Sequence, residues 1–384
     1  MTMCKSLVLY LHVIYNDDMK LQKGQLGNGK TIWLVLDDNY LPIESISKYL
    51  RYLDSLERSP NTIEGYARNL KLYWEFLKDN SLEWRSVSLE QLSEFIHWLR
   101  NPQPNVIPLT SQEAKRSEKT INHALTTVTS FYEFYERLGE FEKVNFYKEQ
   151  HIPNSKYKPF LHHISKGKLT KTRLLKVKEP KIFPGCLTSD EVKNLINGCN
   201  RIRDKFLICL LYETGIRIGE ALGLRHEDLK AKEQNTIHVV PRRDNFNDAR
   251  AKGAEERTIH IGKDLLRLYS NYLIDEYPEE IDSDYVFVNI WSHAAEVGTP
   301  MTYSAVDNLF RRLHKKTGIK ASPHLFRHTH ATELIRAGWD MSYVQKRLGH
   351  TDIQTTINTY VHLIEDDLQE AYKKYLQSRE TVCK

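Results

Sequence analysis

The chain has 384 residues, a length that corresponds to two or three domains of ordinary size. It is 40% hydrophobic and 27% charged, with 17 Gly and 13 Pro, which excludes collagen-like, coiled-coil and wholly disordered chains. The net charge of +5 does not by itself indicate nucleic-acid binding. Five scattered cysteines without a C-x-x-C pair argue against a disulfide framework or a zinc knuckle and favour a reducing cytosol.

Residues 1–43 are predicted to form a β-like N-terminal extension. Two β-like runs, Leu7–Tyr15 and Lys30–Leu36, are separated by the Gly-rich stretch Lys23–Gly29 and can pair as a hairpin. The apolar run at the N-terminus is too short to span a bilayer.

Residues 44–150 are predicted to form a helical domain, because apolar side chains recur three or four positions apart. Ser59-Pro60 supplies an N-cap and a first-turn proline for the second helix, and Ser88 with Gln91 forms a capping box for the third. A fourth helix is predicted to stop at Gly139. The wide aromatic face of the second helix is interpreted as core.

Residues 151–185 are predicted to form an extended basic linker. They contain nine Lys or Arg and one Glu, a net charge of +8, whereas the rest of the chain is near −3. Like charges at this density repel one another unless a polyanion neutralises them, so DNA or RNA contact is favoured over a solvated loop. The predicted DNA-binding residues are Lys166, Lys168, Lys171 and Arg173, together with Thr62 in the helical domain.

Residues 186–384 are predicted to form a second domain with a C-terminal helix. Thr188 with Glu191 makes a capping box, and a buried helix is predicted to end at Gly215. The runs Thr236–Val240 and Arg257–Ile261 are predicted to pair in a small antiparallel sheet, with Tyr285–Asn289 as a third strand. Helical periodicity returns over 304–317, 325–337, 341–348 and 365–378. The fold class is therefore mainly α with a small antiparallel β-sheet.

The sequence contains no phosphate loop, H-E-x-x-H, G-x-S-x-G or dinucleotide fingerprint, so no cofactor and no metal are predicted. Arg217 follows a helix stop and lies among apolar residues, where a guanidinium must be paired. Glu220, three residues on, can hold one edge and leave the other for a ligand. A purely structural Arg–Glu pair explains this motif equally well.

His324 and Arg327 are predicted to share one face of the first turn of a helix that begins after Pro323. Cationic donors at a helix N-terminus suit a phosphate. His328 and His330 are interpreted as packing or surface residues. A zinc site is the rival interpretation, but no carboxylate or thiolate is nearby to complete it.

Arg217, His324, Arg327, His350 and Tyr360, in this order, resemble the catalytic boxes of the tyrosine recombinase (phage integrase) family. Residues 42–139 are similar to the family's SAM-like core-binding domain, and residues 188–378 to its catalytic domain. The sequence around Asp37–Ile43, the basic linker and Ala331–Leu334 most resembles transposase A subunits of transposon-encoded site-specific recombinases. The family's active-site lysine on a β-hairpin matches Lys252, with Lys263 and Arg250 as alternatives.

The resemblance implies a site-specific recombinase that cuts and rejoins DNA through a 3′-phosphotyrosine, without metal or ATP. Arg217 and Arg327 are expected to hold the phosphate, since their forked donors suit its oxygens better than lysine does. The other implied roles are a general base at His324, a phosphate-oxygen donor at His350, a general acid at Lys252 and the nucleophile at Tyr360.

The family implies double-stranded DNA and a homotetramer on synapsed DNA as partners, with other element-encoded recombination proteins as further candidates. A bacterial cytoplasmic, nucleoid-associated location is expected. The helix over Glu365–Arg379 can dock on a neighbour or on its own domain. Two alternatives stay open: a non-catalytic accessory protein of recombination, and a type IB topoisomerase.

Overall fold

The structure, a computed structural model, divides the chain into two compact units, Met1–Lys181 and Ile182–Lys384. It describes residues 19–26, 31–101, 115–141, 147–151, 169–180, 185–230, 235–242, 245–250, 256–279, 281–291 and 296–349.

The described residues of the first unit include four α-helices: α1 (Glu44–Ser55), α2 (Pro60–Asp79), α3 (Leu89–Arg100) and α4 (Glu118–Arg137). The predicted caps are present, because the Ser59 side chain accepts from the Thr62 N–H and Ser88 forms a complete capping box with Gln91. The aromatic residues are core, as predicted. Tyr73 on α2 and Tyr132 on α4 are fully buried, and their hydroxyls lie 2.6 Å apart.

The N-terminal hairpin differs from the prediction in its first strand. Strand β1 (Lys20–Gln25) pairs antiparallel with β2 (Thr31–Leu36), so residues 23–25 belong to a strand and not to the separator. Gly24 lies opposite Ile32, and a Cβ at residue 24 would come within 3.2 Å of the Ile32 side chain. This glycine therefore fits a crowded cross-strand position. The predicted run over 7–15 lies outside the described residues.

Of the predicted linker, the described residues 151 and 169–180 belong to the first unit. Strand β3 (Tyr147–His151) pairs antiparallel with β4 (Leu169–Arg173). The segment after β4, residues 174–179, lies on α4, where the Asn122 side-chain amide donates to the Val177 carbonyl at 2.8 Å and accepts from the Val177 N–H at 2.9 Å. We call residues 174–179 the docked segment. Leu175 and Val177 also pack against the core of this unit.

In the part of the second unit that the structure describes there are seven α-helices: α5 (Ser189–Gly198), α6 (Ile202–Thr214), α7 (Ile218–Leu222), α8 (Lys263–Asp275), α9 (Tyr303–Thr317), α10 (Pro323–Arg336) and α11 (Met341–Leu348). The Thr188–Glu191 capping box is present. Gly215 ends α6 with φ +62°, and a Cβ there would lie 2.7 Å from the His330 ring. Both the backbone angle and the space therefore require glycine.

A three-stranded antiparallel sheet completes this unit, in the order β5 (Leu229–Lys230), β6 (Thr236–Val239) and β7 (Arg257–His260). The two predicted strands are confirmed, but Tyr285–Asn289 as the third strand is wrong. That segment forms two isolated bridges, Arg225 with Tyr285 and Val288 with Pro300. Its apolar residues are buried in the core, so burial and not sheet pairing explains the pattern.

The architecture is mostly helical with small antiparallel sheets, which confirms the predicted fold class. Among the helices that the structure describes, none is both long enough and apolar enough to cross a membrane.

Asn122→Ala removes the three hydrogen bonds by which Asn122 holds the docked segment on α4, two to the Val177 backbone and one to the Glu179 carboxylate. Each such bond contributes about 1 kcal/mol, so we expect trypsin to cut after Lys176 and Lys178 at least about tenfold faster while the helical core stays folded. Limited proteolysis with mass spectrometry measures these two cuts. Lys119→Ala, an exposed change on the same helix, is the control, and equal cutting in the two variants would contradict the docking.

Candidate active site

Arg217 lies at the N-cap of α7, two residues after the glycine that ends α6. Its backbone N–H donates to Glu220 Oε2 at 2.9 Å, and its Nη1 donates to Glu220 Oε1 at 3.0 Å. The pair that the three-residue spacing predicts is therefore present. The Arg217 side chain is 23% exposed, so it is partly open to solvent.

The Glu220 carboxylate is shared with a second cation, Arg257 at the start of β7. Arg257 Nη2 donates to Glu220 Oε2 at 2.7 Å, and Nη1 lies 3.2 Å from Oε1. Burial alone opposes ionisation of Glu220, but its hydrogen bond and charge interaction with Arg257, and then those with Arg217, lower its pKa below the ordinary value. Glu220 is therefore an ionised carboxylate between two guanidinium groups.

Three consecutive carbonyls at the end of α11 accept hydrogen bonds from three arginines. Arg257 Nε donates to the Arg347 carbonyl at 3.0 Å, and Arg327 Nη2 donates to the Leu348 carbonyl at 2.6 Å. Both terminal nitrogens of Arg217 donate to the Gly349 carbonyl, at 3.1 and 3.0 Å. These carbonyls lack helical partners and lie at the negative end of the helix dipole, so guanidinium donors stabilise them.

Arg327 is buried on α10 and joins two chain segments. Its Nη1 donates to the Gly215 carbonyl at 2.8 Å, while its other end contacts the last turn of α11. His324 is exposed on the first turn of α10, after the Ser322 N-cap and Pro323. His328 is half-buried, and its pKa is lowered by burial and then by His324 and Arg327. The predicted placement of His324 and Arg327 on one helix is confirmed.

His330 is buried and pairs with Arg347 on α11. Arg347 Nε donates to His330 Nε2 at 3.0 Å, and Arg347 Nη2 donates to the Glu213 carbonyl at 3.0 Å. Burial and then the Arg347 charge lower the pKa of His330 to about 3, although a backbone hydrogen bond to Tyr212 acts in the opposite direction. His330 is thus neutral and structural, in agreement with its predicted packing role.

Four arginines therefore converge on the ends of α6 and α11, and we call Arg217, Arg257, Arg327 and Arg347 the arginine cluster. The predicted site includes two of them and misses Arg257 and Arg347. A charged residue at the first position of a predicted strand is a signal for Arg257, but its partners lie 37 and 90 residues away in sequence.

The remaining predicted catalytic residues, Lys252, His350 and Tyr360, lie outside the described residues. His350 directly follows Gly349, whose carbonyl contacts Arg217. Of the alternatives to Lys252, Lys263 begins α8, and the backbone of Arg250 bonds to Tyr303.

The helical period of the sequence places Tyr343 on an apolar face with Val344 and Leu348, which predicts a core position. This prediction is wrong, because Tyr343 is 61% exposed.

The predicted DNA-binding residues are distributed over the first unit. Thr62 lies in the first turn of α2, with its hydroxyl 2.8 Å from that of Ser59. Lys171 is in β4, and the Arg173 guanidinium donates to the Thr126 hydroxyl of α4. Lys166 and Lys168 lie outside the described residues. Within the described part of the chain, no group of three or more His, Cys, Asp or Glu could hold a metal ion.

Comparison with known proteins gives family matches for both units. Residues 186–366 match the phage integrase family, and residues 46–139 match the phage integrase N-terminal SAM-like domain. Transposase A from transposon Tn554 of Staphylococcus aureus is 45% identical over 365 residues, which cover 94% of this chain and 99% of that protein. Tyrosine recombinase XerD of Oceanobacillus iheyensis is 27% identical, with 87% of this chain and 97% of that protein covered.

Solved structures share the fold at lower identity. The integrase of transposon Tn1549, in complex with transposon right end DNA, matches with a TM-score of 0.60 and 19% identity, over 87% of this chain and 98% of that one. A lambda integrase dimer bound to a core site matches with a TM-score of 0.53 and 14% identity, over 82% of this chain and 93% of that one.

The chain belongs to the phage integrase family and is an enzyme of the tyrosine recombinase class. The predicted family, fold class and enzyme class are thereby confirmed. The roles of individual site residues stay predictions.

The neutral state of His330 makes the stability of the second unit depend on pH. In the unfolded chain the pKa of His330 returns to about 6.5. Between pH 6.5 and about 3, His330 is therefore protonated in the unfolded chain and neutral in the folded one. The free energy of unfolding falls as the pH falls through that window. From pH 7 to pH 5 this one group lowers the free energy of unfolding by about 2 kcal/mol. Urea unfolding at both pH values measures the loss.

His330→Gln is the control, because its amide oxygen can accept from Arg347 but does not titrate. We expect the change between pH 7 and pH 5 to be smaller in this variant by about 2 kcal/mol. The same pH dependence in both proteins would show that His330 is not the responsible group.

Proposed function

We propose that this chain is the transposase of a mobile DNA element, and that it integrates or excises the element by cutting and rejoining double-stranded DNA. The single observation that carries the proposal is the convergence of the arginine cluster on one turn of backbone, directly before His350. The identity to the Tn554 protein supports the assignment to transposition.

The charge of the cluster favours an anionic ligand. Two of its four guanidinium groups, those of Arg217 and Arg257, bond to the carboxylate of Glu220. With the Glu213 carboxylate, whose charge acts on Arg347, counted as well, the cluster has a formal surplus of two positive charges at low exposure, which is costly without an anion. A phosphodiester supplies that anion, and its fully charged oxygens are stronger acceptors than the backbone carbonyls that the arginines contact here.

In the proposed reaction, the Tyr360 oxygen attacks the phosphorus and the bond to the 5′ oxygen breaks. Arg217, through its exposed edge, and Arg327 stabilise the charge that develops on the phosphate oxygens. His324 accepts the tyrosine proton, His350 donates to a phosphate oxygen and Lys252 protonates the departing 5′ oxygen. The phosphotyrosine preserves the energy of the phosphodiester, so resealing requires no nucleotide hydrolysis.

The helical unit supplies the proposed backbone interface with DNA. Its docked segment carries Lys176 and Lys178 along α4, next to a cavity of about 820 Å³ lined by Lys119, His123 and Arg173. Thr62 lies at the N-terminal end of a 20-residue helix, where the helix dipole favours phosphate. We also propose that the protein acts as a homotetramer on synapsed DNA, together with further element-encoded proteins. Its proposed location is cytoplasmic and nucleoid-associated.

The nucleophile is tested with a suicide DNA substrate that is nicked beside the scissile phosphate. Wild-type protein is expected to become covalently attached through Tyr360, whereas Tyr360→Phe binds the same DNA and forms no adduct, because only the attacking oxygen is lost. Denaturing electrophoresis and peptide mapping measure the attachment.

Tyr343→Phe is the matched control, since this exposed tyrosine lies on the helix that leads to the site and is expected to leave attachment unchanged. A phosphotyrosyl peptide at any other tyrosine would contradict the assignment of Tyr360. Failure of the wild-type protein to attach to any DNA would support the accessory role, and general relaxation of plasmid without a cognate site would support a topoisomerase.

The basic stretch is tested by changing Lys166, Lys168, Lys171 and Arg173 to glutamine together. If all four contact phosphates, the slope of log affinity against log salt becomes shallower by about 3 to 4, and binding weakens equally for cognate and unrelated DNA. A fluorescence binding titration over a range of salt concentrations measures both effects.

A charge-matched control makes the same change to glutamine at four exposed residues of the second unit, namely Lys193, Arg267, Lys315 and Lys320. An equal change of slope in the control would attribute the effect to net charge. A loss confined to the cognate site would show that the basic stretch reads bases.

A further inference from the structure

Arg257 contacts two different parts of the site and is assigned to none of the catalytic roles above. Its terminal nitrogens hold the Glu220 carboxylate, at 2.7 and 3.2 Å, and its Nε holds the Arg347 carbonyl at 3.0 Å. Only 9% of its side chain is exposed, whereas 23% of the Arg217 side chain is exposed. Arg257 thus lies behind Arg217, away from solvent.

Glu220 transmits the position of Arg257 to Arg217. The Glu220 side chain is fully buried, and the same Oε1 that accepts from Arg217 Nη1 also lies within hydrogen-bond distance of Arg257 Nη1. Arg217 reaches Glu220 from one side and the Gly349 carbonyl from the other. Arg257 holds the same Glu220 carboxylate and the Arg347 carbonyl, two residues before Gly349 in the same turn, so loss of Arg257 loosens both supports of Arg217.

The packing at Gly349 shows how close Arg257 lies to the end of α11. Gly349 has φ +65°, and a Cβ at this residue would lie 2.7 Å from Arg257 Nη1 and 2.9 Å from Cζ. The guanidinium therefore fills the space beside the backbone that leads to His350. A smaller side chain at residue 257 leaves a gap at that position. It also leaves the three acceptors that Arg257 contacts without their hydrogen-bond donor.

We infer that Arg257 is a positioning residue of the recombinase, which fixes Arg217 through Glu220 and fixes the turn before His350 through the Arg347 carbonyl. This inference rests on the proposed function of Arg217 in holding the scissile phosphate. Arg257 is expected to affect the rate of strand cleavage and not the affinity for DNA.

The test compares Arg257→Met and Arg257→Lys with wild-type protein in single-turnover cleavage of the suicide substrate at saturating protein. Methionine keeps a long apolar stem in the buried space but removes all three hydrogen bonds. We expect the Met variant to cleave at least about 30-fold more slowly while its Kd for intact DNA changes less than about threefold. The Lys variant is expected to recover part of the rate, because one ammonium can hold either Glu220 or the carbonyl.

Arg242→Met is the matched control. Arg242 is also a largely buried arginine of this unit, 15% exposed, and it pairs with both oxygens of Asp228 at 2.7 and 2.9 Å. It therefore controls for loss of a buried ion pair outside the arginine cluster. We expect its cleavage rate to stay within about threefold of wild type. Equal slowing in the two Met variants would overturn the inference.

Hydrogen exchange gives a second measurement that does not depend on catalysis. In the native chain the Gly349 N–H donates to the carbonyls of α11. Arg257→Met is expected to raise exchange of the amides over 346–349 at least about tenfold, and Arg242→Met is expected to leave it unchanged.

The two readouts separate the inference from the proposed function. Unchanged exchange in Arg257→Met overturns the positioning role, whatever the cleavage result. Normal cleavage by Arg257→Met, with wild-type protein active, also overturns it. An inactive wild-type protein together with raised exchange contradicts the proposed function of the site and leaves the structural contact of Arg257 confirmed.

Discussion

The second unit depends on how the unsatisfied carbonyls at the end of α11 are paired. A helix leaves its last four carbonyls without helical partners, and here those of Arg347, Leu348 and Gly349 accept from side chains of three other elements. Each donor is a guanidinium, which can bond to a carbonyl with one nitrogen and to a second partner with another. The arrangement therefore joins α6, α7, α10 and β7 to the turn that precedes His350.

This use of arginine brings positive charge to one place with little acidic compensation. Glu220 neutralises one of the two guanidiniums that contact it, and its low pKa keeps that interaction intact at neutral pH. His330 adds no charge, because burial and Arg347 keep it neutral. The surplus positive charge that holds the fold together is thus the same charge that suits a phosphodiester, which links the stability of the turn to the proposed chemistry.

The residues of the candidate site form two groups that differ in their exposure to solvent. Arg257 and Arg327 are nearly buried and connect chain segments, while Arg217 retains an exposed edge and His324 is on the surface. Buried guanidiniums with several partners lose little further entropy when a ligand binds, so the site is largely preorganised. The exposed groups are the ones available to meet DNA.

Local sequence determined the helix boundaries and the order of the catalytic boxes. Ser59, the Ser88–Gln91 pair, the Thr188–Glu191 pair and Gly215 act within three or four residues, so their hydrogen bonds follow from spacing alone. The Arg217–Glu220 pair was predictable for the same reason.

The tertiary structure decided which distant groups complete the site: Arg217 meets Gly349 across 132 residues, and Arg257 meets Glu220 across 37. It also decided that 285–289 is core without being a strand, that Tyr343 is exposed, and that residues 174–179 lie on α4. These outcomes depend on which surfaces pack together, and a pattern of neighbouring residues carries no information about a partner that only folding brings near.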